Sequence, residues 1–265
     1  SGVNIFRLNM SHGHHEGHRA AFELIQGVSR KLGVPMAVLA DLCGPKIRTG
    51  RFRGDGMELN EGIRVTVSTI AEEGGDGIIV SQYKALADDV QPGDRILLSD
   101  GLFELKVLGK HETEVECEVI HGGFLGNNKG INLPGVKVSA PSMTTKDHRD
   151  ARFVLALGVD FVALSFVRLA SDIEELRCVI ESAGSHAHII AKIEKPEALE
   201  HAESIIKATD AIMIARGDLG VELPPEQVPT AQRQLIRLAE QAGVAVIVAT
   251  QMLESMVHNS RPTRA

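Results

Sequence analysis

The sequence predicts an α/β fold built around a parallel β-sheet, with a small all-β domain inserted into it. The first observation is a set of six apolar runs. A continuous apolar run is typical of a parallel strand that is buried on both faces. The runs are VNIFRLN (3–9), MAVLADL (36–42), DFVALSF (160–166), HIIAKIE (188–194), AIMIARGD (211–218) and VAVIVATQ (244–251).

Helical patterns separate these runs, and the alternation of strands with helices is the second observation. The predicted helices span residues 16–32, 145–157, 171–183, 197–208 and 225–242. Several of them close with a glycine, which tolerates the left-handed backbone conformation just past a helix end. These glycines are Gly33, Gly158, Gly184 and Gly243.

The third observation is a change of pattern between Gly50 and Gly135, where helical periodicity vanishes. Short β-type runs replace it, namely IRVTVSTI, GIIVS, DRILLSD, LFELKVLG and ETEVECEVI. An insert of about 90 residues is within the usual size range of a domain. We therefore predict a discontinuous α/β barrel domain from residues 1–45 and 142–265, and an inserted β-barrel domain from residues 46–141.

Composition is that of an ordinary globular protein, with 43% hydrophobic and 24% charged residues. A net charge of −7, one Tyr, eight Phe and no Trp argue against a nucleic-acid surface, which needs basic and stacking side chains. No apolar run is long enough for a membrane span. Because Cys43, Cys117 and Cys178 lack CxxC spacing, we expect a reduced, cytoplasmic protein. We expect Cys117 and Cys178 to be small buried hydrophobes.

Six strands are too few to close an eight-stranded barrel. Without the insert, roughly 180 residues remain, short of the ~250 that the TIM-type fold usually has. We therefore expect an incomplete (β/α)8 TIM-type barrel of about six βα units, truncated at both ends. In such a barrel the active site lies where the strands end. The polar residues at those positions are Arg7, Asn9, Asp41, Ser165, Lys192, Glu194, Asp218 and Thr250.

Lys192 and Glu194 are two residues apart on one strand, so both side chains project to the same side. Asp218 adds a second carboxylate, and Gly217 lets a ligand approach the backbone. Two carboxylates with open positions suit Mg²⁺, and a lysine beside a metal suits an enolate or a phosphoryl group. Each residue alone is equally well explained by an ion pair or a turn cap. Their coincidence on adjacent strands, with Thr250 on the next, favours an active site.

Four histidines, His12, His14, His15 and His18, follow the first strand. They have no accompanying Cys, and residues 16–19 read as the first turn of a solvated helix. We therefore expect surface histidines rather than a zinc site, with only His12 a possible nucleotide contact. No Walker-type loop is present, so a phosphate group must be bound by Arg, Lys and backbone amides.

Seven segments resemble the signature blocks of the pyruvate kinase family, in that family's order. They are NIFRLNMSHG, DLCGPKIRTG, NKGINLPG, ALSFVR, IIAKIEKPEAL, IMIARGDLGVELP and ATQMLESM, and they run from the first strand to the C-terminal end. The resemblance implies that Mg²⁺ or Mn²⁺ supports transfer of the phosphoryl group of phosphoenolpyruvate to ADP. This reaction gives pyruvate and ATP and is the last step of glycolysis.

The resemblance also implies roles for the strand-end residues. Lys192 would stabilise charge on the transferring phosphoryl group and on the enolate oxygen. Glu194 and Asp218 would hold Mg²⁺, Arg7 would bind the phosphate, and Thr250 would lie near the proton-delivery path. The other substrate-binding positions are Ser165 and the backbone amides of Gly217 and Asp218.

Nucleotide-binding positions of the family are matched at two places in the sequence. They correspond to Asn9, Ser11, His12, Arg48 and Lys129. Arg48 and Lys129 lie on the side of the insert, and the resemblance implies that the insert is a mobile lid. Such a lid closes over the nucleotide and excludes water.

The family also has a monovalent-cation pocket, to which the side chains of Asn9, Ser11 and Asp41 and the backbone of Leu42 correspond. Here the sequence departs from the potassium-dependent pattern DTKGPEIRTG, because Leu42, Cys43 and Lys46 replace its Thr, Lys and Glu. A fixed ammonium at Lys46 would supply the charge that K⁺ otherwise gives, and repulsion would disfavour having both. We therefore expect that K⁺ is not strictly required.

Two other classes of function remain open. A Mg²⁺-dependent aldolase or lyase acting on a pyruvate enolate would use a similar set of strand ends, but it needs no nucleotide lid with Arg48 and Lys129. A non-catalytic fragment or binding protein is favoured by the missing strands, and we expect the isolated chain to be inactive. The family usually carries a C-terminal allosteric domain, and we expect the parent protein to be a homotetramer without nucleic-acid or membrane partners.

Overall fold

A computed structural model describes residues 2–250 of the chain. These residues divide into two compact units. The first unit is formed by segments 2–45, 141–219 and 226–250, and the second by Lys46–Ala140 together with Gly220–Pro225.

The first unit contains a six-stranded parallel sheet in which the strands lie in chain order. The strands are β1 (Ile5–Asn9), β2 (Ala37–Asp41), β3 (Phe161–Leu164), β4 (His188–Ile193), β5 (Ala211–Ala215) and β6 (Ala245–Ala249). Each of the six apolar runs supplies one strand, so the predicted α/β class and the incomplete TIM-type barrel are confirmed.

Helices separate the strands of this sheet, as the sequence predicted. They are α1 (His15–Leu32), α2 (Thr145–Leu157), α3 (Ala170–Ser182), α4 (Pro196–Glu200), α5 (Ala202–Ala208), α6 (Arg216–Glu222) and α7 (Val228–Ala242), with a 3₁₀ turn at Pro225–Gln227. α2 begins with a capping box, in which Thr144 and Asp147 satisfy each other's backbone N–H groups.

Three details differ from the predicted elements. The single helix expected over 197–208 is interrupted at His201, whose carbonyl accepts from the Ser204 hydroxyl at 2.8 Å. Such a local side-chain bond competes with helix continuation. The helix expected from residue 225 starts later, with Pro229 in its first turn, where a missing N–H costs nothing. Asp218 lies in the first turn of α6 rather than on a strand end.

Both faces of the parallel sheet are buried, which explains why its strands read as unbroken apolar runs. One face packs against the helices through a large core that includes Val38, Leu164 and Ile189. The opposite face carries a smaller cluster around Ile190 and Met213. The buried polar side chains of the strands, Asp41 and Lys192, lie at or next to their C-terminal ends.

The second unit is built mainly from antiparallel strands around its own apolar core. A six-stranded sheet has the order Ile131–Asn132, Arg95–Leu98, Phe103–His111, Glu114–His121, Arg64–Ser68 and Ile78–Val80, and Gly56–Leu59 pairs separately with Gly123–Gly126. All five predicted β-type runs supply strands. One short helix, Leu86–Asp89, was not predicted.

Two cysteines expected to be buried behave differently. Cys117 is buried in the second unit, and burial raises the pKa of its thiol to about 12. Cys178 is exposed on α3, so that expectation was wrong. Within residues 2–250, none of the helices combines the length and apolar character that a membrane crossing requires.

Candidate active site

Lys192 occupies the centre of a buried polar cluster at the C-terminal ends of the parallel strands. It lies on β4 and is only 9% exposed. Its ammonium nitrogen is 2.7 Å from Ser165 Oγ, 2.9 Å from Glu194 Oε1 and 3.1 Å from Asp41 Oδ1. An ammonium has three N–H donors. Each donor therefore has an acceptor, and the side chain is held in one place.

Asp41, the last residue of β2, links Lys192 to Arg7 on β1. Its Oδ1 faces Lys192, and its Oδ2 accepts from Arg7 Nε at 2.6 Å and lies 2.6 Å from Nη2 in the same ion pair. The Arg7 side chain is nevertheless 52% exposed. Because a guanidinium has five N–H donors, Asp41 leaves most of them for another ligand. An anion that reaches this cluster would meet a guanidinium already fixed by a carboxylate.

Ser165 and Glu194 complete the surroundings of Lys192. The Ser165 hydroxyl accepts from Lys192 and donates to the carbonyl oxygen of Leu42 at 2.7 Å. Glu194 is 1% exposed, and its Oε2 accepts from the backbone N–H of Phe166 at 2.8 Å. Phe166 has a φ of 56°, a left-handed conformation that costs of order 1–3 kcal/mol for a bulky residue and collects at functional sites.

Gly44 allows the loops after β2 and β3 to approach each other closely. Its φ is 67°, and a Cβ at this position would lie 2.9 Å from Phe166 Cδ2 and 3.1 Å from the Cβ and carbonyl oxygen of Ser165. The Gly44 N–H donates to Asp147 Oδ1 of α2 at 3.0 Å. Only glycine, which lacks a Cβ, can adopt this positive φ and still lie so close to Ser165 and Phe166.

Burial of one ammonium among carboxylates determines the electrostatics of the cluster. Burial disfavours the charged form of Lys192, but attraction to Glu194 and Asp41 outweighs it and raises the pKa of Lys192. Burial also raises the pKa of Glu194; Lys192 opposes this shift, and the Asp218 carboxylate adds to it. At Lys192 the attraction of two carboxylates outweighs burial, whereas at Glu194 burial, together with the Asp218 charge, outweighs the attraction of Lys192.

Glu194 and Asp218 fit the ligand set of a divalent cation. Their mutual repulsion raises the pKa of Glu194, and a cation bound to both carboxylates would relieve it. Mg²⁺ takes one or two protein carboxylates and fills its other positions with water and substrate oxygens. Among the described residues, no group of three or more His, Cys, Asp or Glu could hold a metal. Water and substrate would therefore have to complete the coordination.

Gly217 and Thr250 lie after the next two strands. Gly217 is in the first turn of α6, where backbone N–H groups have no partner within the helix. Thr250 directly follows β6, and its Oγ1 is buried without a hydrogen-bond partner in the described part of the chain. A buried unpaired hydroxyl costs about 1–3 kcal/mol, so this oxygen is well suited to a ligand. Residues 251–256 of the last signature block lie outside the described residues.

The predicted monovalent-cation pocket draws on the ends of β1 and β2. Asn9 and Asp41 are partners in the sheet register. Asn9 Oδ1 accepts from the Ser11 N–H at 3.1 Å, and the Leu42 carbonyl accepts from a hydroxyl. These oxygens suit a monovalent cation, although each already accepts a hydrogen bond within the protein. Lys46 belongs to the second unit.

The predicted nucleotide contacts are divided between the units. In the second unit, a bridge pairs Arg48 with Gly130, and the Thr49 N–H donates to the Lys129 carbonyl at 2.7 Å. Two cations far apart in sequence thus lie on adjacent backbone segments. In the first unit, Asn9 ends β1, and Ser11 and His12 follow it.

The histidines after β1 are not all simple surface residues, and the expectation for His15 was wrong. His15 Nε2 is 2.7 Å from Oδ1 of buried Asp150, and its ring stacks on Phe153 at 4.0 Å between centroids. His14, by contrast, is exposed, and its side chain does not cap α1. The sequence pattern predicted a solvated helix start, but His15 packs against Phe153 and pairs with Asp150.

Comparison with known proteins agrees with the geometry of the site. The family model described as the pyruvate kinase barrel domain matches residues 1–265. The chain belongs to the pyruvate kinase family. Pyruvate kinases from Mycobacterium intracellulare, Corynebacterium glutamicum and Staphylococcus aureus are 49%, 48% and 45% identical to it. Each alignment covers 100% of this chain but 56%, 56% and 46% of the relative, so the chain spans about half the length of the curated relatives it matches.

Family membership confirms the resemblance to pyruvate kinase that the seven segments carry. Sequence reasoning missed three residues that support the loops around Lys192, namely Phe166, Gly44 and Asp147. Asp147 had a signal, because Thr-x-x-Asp before an apolar run predicts a helix cap. Phe166 had none, because a positive φ cannot be read from a phenylalanine.

Proposed function

We propose that this chain carries the catalytic site of a pyruvate kinase that uses Mg²⁺ or Mn²⁺. In this reaction the P–O bond to the enol oxygen of phosphoenolpyruvate breaks, and a P–O bond to the terminal phosphate of ADP forms. The enolate that is released takes up a proton at carbon and becomes pyruvate. The observation that carries the proposal is the buried cluster of Lys192, Arg7, Asp41 and Glu194 in a chain of this family.

Lys192 would stabilise the negative charge that develops on the transferring phosphoryl group and the enolate oxygen. Its raised pKa keeps it an ammonium, so it acts by electrostatic attraction rather than by releasing a proton. All three of its N–H donors have partners, so substrate must replace or share one of them. A charge held in place before the reaction avoids reorganisation during it.

Arg7 and Ser165 would bind substrate at the edges of the cluster. Arg7 has a 52% exposed side chain and N–H donors that Asp41 does not use, so it could hold the phosphate of phosphoenolpyruvate. The backbone amides of Gly217 and Asp218 would bind its carboxylate, and the Thr250 hydroxyl would stand near the proton-delivery path. The buried, unpartnered Oγ1 of Thr250 in the described structure supports that role.

Glu194 and Asp218 would hold the divalent cation through their carboxylates. When bound, this cation supplies positive charge to the phosphoryl oxygens and helps to orient the two substrates. Loss of either carboxylate should therefore weaken binding of the divalent cation and raise the cation concentration that turnover requires.

ADP would be bound by two groups of residues, Asn9, Ser11 and His12 in the first unit and Arg48 and Lys129 in the second. We propose that the second unit acts as a lid that closes over the nucleotide and keeps water from the phosphoryl group. We also propose that Lys46 replaces the monovalent cation, so that Asn9, Ser11, Asp41 and Leu42 need not bind K⁺.

Pyruvate formation from phosphoenolpyruvate and ADP with Mg²⁺ tests the proposal, in Na⁺ buffer and again in K⁺ buffer, on the protein as its gene encodes it. We expect similar turnover in both buffers, and K⁺-dependent turnover in Lys46→Glu. Turnover of the unsubstituted protein only in K⁺ would keep the kinase and contradict the role of Lys46. Absence of pyruvate in both buffers would overturn the proposed function.

A further inference from the structure

The turn that follows β1 is fixed by side chains that the proposed mechanism does not use. This 9–12 turn carries the proposed nucleotide contacts Asn9, Ser11 and His12. Within it, the His12 N–H donates to the Asn9 carbonyl at 3.2 Å, and the Ser11 N–H donates to Asn9 Oδ1 at 3.1 Å. Two other carbonyls of the turn, those of Met10 and His12, accept hydrogen bonds from side chains on separate helices.

Lys146, in the first turn of α2, donates to the Met10 carbonyl at 2.6 Å. It also pairs with Asp150, which is 1% exposed and lies one helical turn further along. Asp150 is in turn 2.7 Å from His15 Nε2, and the His15 ring stacks on Phe153. The ammonium of Lys146 is therefore held by a buried carboxylate that is itself held in place, so the Met10 carbonyl has a fixed partner.

His18, on α1, holds the other end of the turn. Its Nε2 is 2.8 Å from the His12 carbonyl oxygen. Because a carbonyl oxygen can only accept, Nε2 must carry the hydrogen in this contact. His18 thus places a donor directly on the backbone of a proposed nucleotide contact.

The first turn of α2 supports the neighbouring loop as well. Asp147, next to Lys146, is fully buried and accepts from the Gly44 N–H in the loop after β2. That loop begins at Asp41 and Leu42. A single helical turn therefore holds the backbone of both loops that carry the proposed nucleotide and cation residues.

We propose that Lys146 and His18 are positioning residues for the nucleotide: they hold the carbonyls of Met10 and His12 and thereby fix the 9–12 turn. Neither side chain needs to touch ADP. The inference rests on the proposed function, because it takes the 9–12 turn to be part of the ADP site. Small displacements of binding groups cost binding and rate steeply, so loss of either donor should weaken ADP binding more than phosphoenolpyruvate binding.

The experiment measures the KM for each substrate, and the Kd for ADP by calorimetry, in Lys146→Met and His18→Ala of the protein as its gene encodes it. A hydrogen bond from a charged donor is worth enough to change affinity about tenfold. We expect the KM and Kd for ADP to rise roughly tenfold in Lys146→Met and about threefold in His18→Ala. The KM for phosphoenolpyruvate should stay within about twofold, and Lys146→Arg should restore most of the ADP affinity.

Arg152→Met and His14→Ala are matched controls, because Arg152 is an exposed cation on the helix of Lys146 and His14 is an exposed imidazole directly before the helix of His18. They should leave ADP binding unchanged. Unchanged ADP binding in folded Lys146→Met and His18→Ala, or equal losses for both substrates, would overturn the inference. If Lys146→Met does not fold because Asp150 loses its ammonium partner and keeps only His15 and Arg149, His18→Ala decides. Failure of the unsubstituted protein to bind ADP would instead overturn the proposed function.

Discussion

Both units bury hydroxyl side chains, but among the described residues the first unit buries far more charged side chains than the second. The buried charged residues of the first unit, among those described, are Asp41, Asp147, Asp150, Asp172, Lys192 and Glu194. In the second unit the buried polar residues are Thr49, Ser68, Thr69 and Ser81, with one carboxylate, Glu222. A hydroxyl is cheap to bury when it is hydrogen-bonded, whereas a charge is costly unless it is paired. The buried charges of the first unit therefore cost free energy unless they are paired, and each of them needs a structural or a catalytic explanation.

The hydrogen-bond and ion-pair partners of a buried charge distinguish a structural residue of the first unit from a candidate catalytic residue. Asp172 accepts from the backbone N–H groups of Arg168 and Leu169 at the start of α3, as a helix cap does. Lys192 and Glu194, by contrast, face each other and serve no helix end. Buried charge alone does not indicate a site: Asp150 pairs with Lys146 and His15, which are partly exposed, whereas Lys192 pairs with two carboxylates that are as buried as itself.

Lys192→Met is the strongest test of this distinction. It removes the charge that the proposed transition state needs, and it leaves Asp41 and Glu194 without their ammonium. We expect kcat for pyruvate formation to fall by about 10³-fold and the free energy of unfolding to drop by about 3 kcal/mol. Stopped-time pyruvate assays and denaturant titration measure the two effects separately.

Lys106→Met is the matched control, because Lys106 is an exposed lysine on a strand of the second unit. It should change neither quantity appreciably. A Lys192→Met protein that keeps more than about a tenth of its kcat would assign Lys192 to structure rather than to transition-state stabilisation.

Gly44→Ala should have the next largest effect, because it acts on the loops that hold Ser165 and Phe166. The added Cβ meets Phe166 at 2.9 Å and also occupies a left-handed conformation. We expect a loss of about 3 kcal/mol in the free energy of unfolding, from overpacking and backbone strain together. The kcat should fall as well, since Ser165 is a direct partner of Lys192.

Gly33→Ala separates the two causes. Gly33 has a similar φ of 63°, but nothing lies within 4 Å of the position that a Cβ would take there. It should therefore lose only about 1 kcal/mol, the cost of the left-handed conformation, with kcat unchanged. Equal losses in the two variants would show that the close approach to Phe166 does not matter.

Much of the fold could be predicted from the sequence because the buried parallel strands have an unmistakable pattern. The six runs, most helix ends and the five β-type runs of the insert all follow from local periodicity and glycine placement. The break at His201 could not be predicted, because a side-chain bond from Ser204 competes with continued helix.

The candidate site could be predicted from the sequence only for polar residues that lie at the ends of predicted strands. Lys192 and Glu194 could be placed together, since two residues on one strand share a face. Asp41 was predicted at a strand end and matched to the cation pocket, but its position between Arg7 and Lys192 depends on contacts across strands. Lys146 donates to a carbonyl 136 positions away in the sequence, and His18 contacts one six positions away across a turn, and no residue spacing reports either contact.

Thr49→Val removes a buried hydroxyl of the second unit. It should have the smallest effect of the three substitutions on stability and activity. The Thr49 hydroxyl accepts from the Lys129 N–H at 2.9 Å, so valine leaves that N–H without its side-chain acceptor. We expect a local loss of about 1–2 kcal/mol, seen as faster hydrogen exchange of the Lys129 amide. The KM for ADP should rise a few-fold, since Arg48 and Lys129 flank the change.

Thr69→Val is the control, because Thr69 is equally buried and its hydroxyl donates to the Thr113 carbonyl. That carbonyl also accepts from the Thr69 N–H at 2.9 Å, so it keeps one partner and the cost should be below about 1 kcal/mol. ADP binding should not change. If both variants raised the KM for ADP equally, the effect would come from general loosening of the second unit. If only Thr49→Val did so, a neutral buried hydroxyl would have been shown to support nucleotide binding in the unit that buries a single charged side chain.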